Sequence, residues 1–304
     1  MKKKFISVLL MVVTLAVFAS SVFANGTKEE TKSLKIGLMP AVDIAPIMLA
    51  EKNGYFKELG LDVDIQIYTN AQNRQTALQT NEIDGAMTDI VALITNNAEG
   101  FGLKGVLSTD GMFPLLVNPK HADDKDIKVG MMEISVSNYL VEQYLGDEYN
   151  YKKVYINAIP TRLEAIETGV IERGLIPEPV ASIGEMNGLT KVIYDGIPSE
   201  SLDIMAFTEK AISEKAKSIE LFTKAYGKAI ADIQKDPSLA RDVLMETITT
   251  LPPQIRDSIT LPDYKDASLP SDKFINELIE WTGNLLGKTY QITPDDILDR
   301  RFVK

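Results

Sequence analysis

Five charged side chains stand at positions where a ligand-binding protein places its contacts. Asp43, Arg74 and Asp89 each flank an apolar, strand-like run in the first third of the chain, and Arg162 and Glu178 stand in similar surroundings further on. Carboxylates accept hydrogen bonds from amines and hydroxyls, whereas guanidinium groups bind anions or neutralise acids. These residue types therefore predict recognition of a small polar or charged molecule.

Each of these side chains also has a local explanation. Asp43 accepts a hydrogen bond from a ligand, or it only caps the helix predicted to follow it. Arg74 and Arg162 lie in the first turns of predicted helices, where a cation opposes the helix dipole, so each needs a bound anion or a salt bridge. Glu178 stands between two prolines that stiffen its backbone, and it is the strongest single candidate for a ligand contact.

The remaining candidates are polar and uncharged, and one of them, Thr88, directly precedes Asp89. Thr88 and Asp89 open a predicted helix and either cap it only or also contact a ligand. Ser135 and Ser137 stand at the start of another helix, where free amide groups are available, but capping alone explains one of them. Asn73 ends the polar turn that precedes Arg74, which brings it to the same end of the predicted sheet.

The composition argues against catalysis by the commonest nucleophiles and bases. The chain has no cysteine, which excludes disulfides and thiolate chemistry, and its single histidine, His121, stands in a polar loop beside two aspartates. With a formal net charge of −11, the chain is a poor partner for nucleic acid or an anionic membrane. We expect no metal site, no cofactor and no enzymatic activity. The alternative is an enzyme on the same two-lobed scaffold, of the pyrimidine-synthase-like kind.

Alternating strand and helix patterns must position these side chains. The runs 34–39, 61–67 and 83–87 read as strands, with helical patterns between and after them. This order predicts a parallel sheet covered by helices, and ligands bind such sheets beyond the carboxyl ends of the strands. A second unit of the same kind begins at Ile127. Residues 162–172 align without gaps on residues 74–84, which suggests that one α/β unit was duplicated.

The chain therefore divides into two α/β lobes joined by two crossing segments. We assign residues 34–112 and 208–304 to the first lobe and residues 113–207 to the second. The crossings fall near residues 112–117 and 202–207, and together they form a two-segment hinge over a cleft. The helical patterns after residue 207 are expected to cover the first lobe.

The N-terminus reads as an export signal. Residues 1–24 combine three lysines, an apolar run and small residues ending at Ala24, which predicts a cleaved signal peptide. Residues 25–33 are polar and predict a disordered lead-in. Cleavage would move the formal charge to about −14, because three lysines and no acids are removed. Since the chain has no cysteine, we expect a periplasmic protein without a lipid anchor.

Several motifs resemble one known protein family. The segments Met39–Asp43, Ala50–Phe56, Gly60–Asp64 and Asn81–Asp84 follow one another in the order found in the solute-binding proteins of ABC importers. The resemblance is to the nitrate/taurine/sulfonate type, relatives of the thiamine-precursor binders. It implies a type II periplasmic-binding fold, two parallel-sheet βαβ lobes that close around one small molecule, and delivery of that molecule to an ABC permease in the inner membrane. We expect a monomer.

The resemblance does not name the solute, but the charges favour one class. Three candidate acids, Asp43, Asp89 and Glu178, stand against two arginines, and desolvated carboxylates would repel a simple anion. An amine-bearing or zwitterionic polar solute is favoured, an oxyanion is second and a flat heterocycle third. If Glu178 binds the solute, Glu178→Gln weakens binding by about 1.5–3 kcal/mol.

Overall fold

Two mixed β-sheets with helices around them make up the part of the chain that the structure describes. The computed structural model describes residues 32–194 and 196–303. The predicted signal peptide, residues 1–24, and most of the predicted lead-in, residues 25–31, lie outside the described residues. Residues 32 and 33, the last two of the predicted lead-in, already belong to the first strand.

The strands agree with the sequence pattern, because alternating or uniformly apolar runs become half-buried or buried strands. They are β1 (Lys32–Leu38), β2 (Leu61–Ile67), β3 (Gly85–Asp89), β4 (Leu103–Thr109), β5 (Leu115–Val117), β6 (Asp126–Met131), β7 (Asn150–Tyr155), β8 (Arg173–Leu175), β9 (Thr190–Val192) and β10 (Asp203–Thr208).

The helices lie between these strands and form most of the C-terminal third. They are α1 (Ala45–Lys52), α2 (Tyr55–Glu58), α3 (Ala71–Gln79), α4 (Ile90–Ala98), α5 (Val136–Leu145), α6 (Ile159–Glu167), α7 (Val180–Met186), α8 (Glu209–Glu214), α9 (Ala216–Lys235), α10 (Ser238–Thr247), α11 (Asp272–Leu286) and α12 (Pro294–Ile297). Short 3-10 turns occur at Val42–Ile44, Pro119–His121, Pro253–Ser258 and Arg300–Phe302.

Each sheet contains one antiparallel strand and is therefore mixed, whereas the sequence predicted parallel sheets. The first sheet has the order β2-β1-β3-β10-β4, in which β10 runs antiparallel to β3 and β4. The second has the order β7-β6-β8-β5-β9, in which β5 runs antiparallel to β8 and β9. β5 and β10 are the strands that follow the two connections between the sheets. The apolar pattern that predicted them carries no information about strand direction.

Residues 110–114 and 193–202 connect the two sheets. The predicted crossings near 112–117 and 202–207 overlap these connections, but their remaining residues are strands. The sequence assigned residues 203–207 to the second lobe, whereas β10 pairs within the first sheet. We call each sheet with its covering helices a lobe. The closure of the two lobes about a hinge stays a prediction.

The C-terminal helices cover the first sheet, as the helical patterns predicted. The buried face of α9 supplies Phe222, whose ring stacks on Phe56 with 5.5 Å between centroids, and α11 packs against α4. Both lobes belong to one compact unit, Ser33–Lys304. Among the described residues, the helices are too short or too polar to span a membrane.

Candidate functional site

A cavity of ≈580 Å³ lies between the two lobes and receives side chains from both. The first lobe contributes the turn after β1, the start of α3 and the end of β3. The second contributes the starts of α5 and α6 together with α7. Seven of the nine residues that the sequence singled out line this cavity, and we call it the cleft: Asp43, Arg74, Thr88, Asp89, Ser135, Ser137 and Arg162.

Asp89 caps a helix and also lines the cleft. It ends β3 and caps α4, because its Oδ1 accepts a hydrogen bond from the backbone amide of Ala92 at 2.8 Å. Its other oxygen, Oδ2, accepts a hydrogen bond from the Ser135 hydroxyl of the second lobe at 3.2 Å. Burial raises the pKa of the Asp89 carboxyl. Capping therefore leaves one oxygen of this carboxyl group for the cleft.

Arg74 is the buried cation of the first lobe. Its Nη2 donates to the Thr88 hydroxyl at 3.0 Å, and its Nε is buried without a hydrogen-bond partner in the described part of the chain. Burial lowers the pKa of Arg74, and the carboxyls of Asp89, Asp203 and Asp43 oppose that shift. Arg74 is therefore surrounded by three acids, but it forms no close ion pair with any of them within the described residues.

Asp203 is the site residue that sequence reasoning missed. It begins β10 and lies directly opposite Asp89 in the antiparallel register. Its side chain lines the cleft, and burial, followed by the charges of Asp43 and Asp89, raises its pKa well above the ordinary value. A signal was present, since an aspartate inside the apolar run 202–207 has no reason to stand in a buried strand without a polar partner.

Asp43 does not cap a helix. It lies in the 3-10 turn Val42–Ile44, where no side-chain cap is formed, and its Oδ1 is buried without a partner among the described residues. Burial raises its pKa to about 7. The turn itself is held by the second lobe, because the amide of Val42 donates to the carbonyl of Glu178 at 3.1 Å. Of the two explanations given above, the capping explanation is wrong.

The two serines organise the start of α5. The Ser135 hydroxyl accepts from the Ser137 amide at 3.2 Å, which caps the helix, and also donates to Asp89 across the cleft. The Ser137 hydroxyl accepts from the amide of Met132 at 3.0 Å. Both hydroxyls are therefore used locally, and both residues still line the cleft.

Arg162 is the buried cation of the second lobe, and its environment differs from that of Arg74. Only 2% of its surface is exposed, and its Nη1 donates to the carbonyl of Ile156 at 2.8 Å. Burial lowers its pKa to about 10, and its Nε has no hydrogen-bond partner among the described residues. Burial is the cause of this shift, and Arg162 forms no ion pair with a carboxylate of the described chain. The salt bridge considered as an alternative is therefore absent there.

Glu178 is fully buried but does not line the cleft. Its Oε1 forms an ion pair with Lys191 Nζ at 2.9 Å and accepts from the Thr260 amide at 3.1 Å, while the Ser182 hydroxyl donates to Oε2 at 2.8 Å. Lys191 also donates to the carbonyl of Ser258 at 2.7 Å. This network ties the second lobe to the 258–260 segment, which packs on the first. The expected ligand contact has a structural role, because nearby donors outside the cleft satisfy the carboxylate.

Asn73 is the other predicted residue that does not line the cleft. The Asn70 side chain caps α3 by accepting a hydrogen bond from the Asn73 backbone amide at 2.9 Å, and the side chain of Asn73 is exposed. The helical pattern placed Asn73 and Arg74 one residue apart, but adjacent residues on a helix point in different directions. Only the arginine faces the cleft.

The cleft therefore presents three acids around Arg74 on one side and an unpaired Arg162 on the other. Buried charges that lack partners cost free energy, so the arrangement is suited to a ligand that supplies the missing partners. In the described part of the chain, no group of three or more histidine, aspartate or glutamate side chains is arranged to hold a metal ion.

Comparisons with known proteins show which proteins this chain resembles. The model of the NMT1-like family matches residues 27–113. A candidate binding protein of Bacillus subtilis (strain 168), YtlA, is 24% identical over 287 residues, which cover 88% of this chain and 86% of that protein.

Solved structures show the same fold at low sequence identity. The ligand-binding component of an ABC-type import system from Staphylococcus aureus, solved with zinc bound, has a TM-score of 0.75 at 15% identity and covers 89% of this chain and 97% of its own. The alkanesulfonate-binding protein SsuA of Xanthomonas axonopodis pv. citri, bound to MOPS, has a TM-score of 0.73 at 15% identity, with 88% and 98% covered. The predicted resemblance and the two-lobed periplasmic-binding fold are confirmed.

Proposed function

We propose that this chain is the extracytoplasmic solute-binding component of an ABC importer, which captures one small molecule between its lobes and delivers it to a membrane permease. The fold and the class of its relatives support this proposal. The single observation that carries it is the cleft, where buried charged side chains from both lobes face one cavity of ≈580 Å³ without satisfying one another.

The acids on the first lobe favour a solute with an ammonium group. Asp43, Asp89 and Asp203 surround the single guanidinium of Arg74, so the group has an excess of acid. A bound cation would restore the balance and let these carboxyls ionise despite their burial. An amine-bearing or zwitterionic solute is therefore the proposed class.

Arg162 favours a zwitterionic solute over a simple amine. It is also the observation that supports an oxyanion as the second candidate. A buried guanidinium without a counter-ion is suited to a carboxylate or another anionic group. A zwitterion would pair its ammonium with the first lobe and its anion with Arg162 on the second, which holds the lobes together. A simple oxyanion that uses Arg162 alone is the second candidate.

Binding rather than catalysis is the proposed activity. The cleft lacks histidine, and the chain has no cysteine. His121 lies in the second lobe with its Nδ1 at 2.8 Å from Asp124 Oδ2, partly exposed and outside the cleft lining. The carboxyls with raised pKa remain suited to ligand binding, since they surround a fixed cation.

The proposed setting is the periplasm, with the predicted signal peptide removed after Ala24, no lipid anchor and a monomeric state. Intact mass of the protein purified from a fractionated native host tests this. A mass that corresponds to residues 25–304 in the soluble periplasmic fraction is expected. Full-length chain in the membrane pellet would contradict it.

A ligand screen tests the function. Thermal unfolding is measured with amines, amino-acid-like zwitterions, sulfonates, nitrate and pyrimidines, because a ligand that binds only the folded state raises the melting temperature. Stabilisation by one class, together with a smaller radius of gyration in solution scattering, is expected. Asp203→Asn is expected to reduce the shift produced by an amine-bearing solute, and Asp84→Asn, which changes an aspartate that pairs with Lys215 outside the cleft lining, is the matched control. No stabilisation by any class would refute the proposal.

A further inference from the structure

The wall of the cleft between its charged groups is apolar. Methionines contribute to it: Met39 from the first lobe, Met112 from the connection between the sheets, and Met132 from the second lobe. Ile183 of α7 and Ile248, just after α10, also line it. Each of these side chains is half-buried, so part of its apolar surface remains uncovered by protein.

This wall is continuous with the hydrophobic cores of the molecule. Met112 and Ile248 pack against the core of the first lobe, and Ile183 packs against that core and against the core of the second lobe. Packing contacts therefore hold Met112, Ile183 and Ile248 in place. A small polar zwitterion would contact the charged groups but would leave this wall facing water.

The volume of the cleft also indicates a solute larger than a charged head group. Ligand cavities of about 300–1,000 Å³ enclose molecules of drug size, and the cleft has ≈580 Å³. A charged head group alone needs only a fraction of that space. Methionine side chains are flexible and polarizable, so they fit an irregular apolar group better than branched side chains do.

We infer that the solute is amphiphilic: an ammonium-bearing head held by the aspartates of the first lobe and an apolar or aromatic body that covers the methionine-lined wall. This inference rests on the proposed function and narrows its solute class. The apolar body adds affinity in proportion to the area that it removes from water, which amounts to about a fourfold gain per methylene group, from about 0.8 kcal/mol each.

Titration calorimetry with homologous ligands tests this inference on the full mature chain. Straight-chain α-amino acids from alanine to 2-aminooctanoic acid and n-alkylamines of matched length vary the body at a constant head. Matched n-alkanesulfonates replace the head. Affinity is expected to rise by about fourfold per methylene along one of the two amine-bearing series until the cleft is full.

Variants of the wall assign the gain to the cleft. Ile183→Thr is expected to reduce the gain in affinity per methylene group, because it removes apolar surface from the wall of the cleft. Ile248→Thr provides the same test if the first variant unfolds, as judged by circular dichroism. Ile67→Thr is the control, because Ile67 is 44% exposed at the end of β2 and does not line the cleft.

The outcomes separate this inference from the proposed function. If affinity is equal along both amine-bearing series, the solute has no apolar body in contact with the wall. The same follows if Ile67→Thr reduces the gain as much as Ile183→Thr does. Either result leaves a solute-binding protein. A gain along the alkanesulfonates alone overturns the ammonium head. Absence of binding by every compound in these series and in the screen overturns the proposed function and this inference with it.

Discussion

Asp203 and Asp89 lie opposite each other in the antiparallel register of β10 and β3, and both side chains line the cleft beside Arg74. Two like charges on neighbouring strands destabilise a sheet unless a third group offsets them. Arg74 opposes the rise in pKa of both carboxyls, but burial outweighs it. Burial therefore favours the protonated carboxyls in the unliganded protein, and a bound cation would favour their ionised forms instead.

Asp203→Asn is expected to weaken binding of an amine-bearing solute by about 1.5–3 kcal/mol, the range for a hydrogen bond to a charged group. The uncharged amide keeps the shape of the side chain, so the melting temperature of the unliganded protein should stay the same or rise. Titration calorimetry and thermal unfolding measure the two effects. Unchanged affinity would remove Asp203 from the site.

Stability of the unliganded protein is expected to fall as the pH rises from about 4 to 7. Burial raises the pKa of Asp43 from 3.8 to about 7, so in this window the folded state keeps a proton that the unfolded state has lost. The free energy of unfolding then decreases with pH, by up to about 1.4 kcal/mol per pH unit from this group. Urea denaturation at several pH values measures the slope, and Asp43→Asn should flatten it. An identical slope in wild type and variant would contradict the shift.

Binding of an amine-bearing solute should depend on pH in the opposite sense. The carboxyls of Asp43, Asp89 and Asp203 all have raised pKa values because they are buried, and an ammonium group binds best when they are ionised. Affinity is expected to increase between pH 5.5 and 8, while the amine remains protonated. Calorimetry across this range tests it, and an affinity that falls with pH would favour the oxyanion.

Arg162→Met is expected to abolish binding of a zwitterion while leaving the fold intact or more stable, since it removes a buried cation that has no counter-ion among the described residues. Arg173→Met is the matched control. Arg173 is similarly buried in the second lobe, but it contacts the ring of Tyr149 and does not line the cleft. Equal loss of binding in both variants would indicate a structural effect instead of a ligand contact.

Glu178→Gln is expected to lower the free energy of unfolding by about 1.5–3 kcal/mol, because it replaces the acid of a buried ion pair with an amide. This differs from the expectation drawn from the sequence, in which the same change weakened ligand binding directly. Lys191→Met should destabilise the protein as well, since it leaves Glu178 buried without its cation. Chemical denaturation without a solute measures the free energy of unfolding, and repeating it with a solute from the screen measures the effect on binding. A variant that folds with normal stability but fails to bind would restore Glu178 to the site.

The sequence by itself determined the strands and helices and part of the cleft lining. Alternating and apolar runs, helix caps and turn residues are local signals, and they predicted the α/β order of both lobes and the helical C-terminal third. The end of a strand is also a local signal. Together with the starts of helices, strand ends predicted seven residues that line the cleft, among them Arg74, Asp89 and Arg162.

Only the tertiary structure decided what those residues meet. Asp203 faces Asp89 because a strand from far along the chain inserts between β3 and β4, and Glu178 turns away from the cleft because Lys191, Ser182 and the Thr260 amide satisfy it elsewhere. Strand direction, register and the partners of a buried charge depend on contacts between distant segments. Local patterns in one sequence do not specify such contacts, because apolar runs of the same kind can pair in either direction and in either sheet.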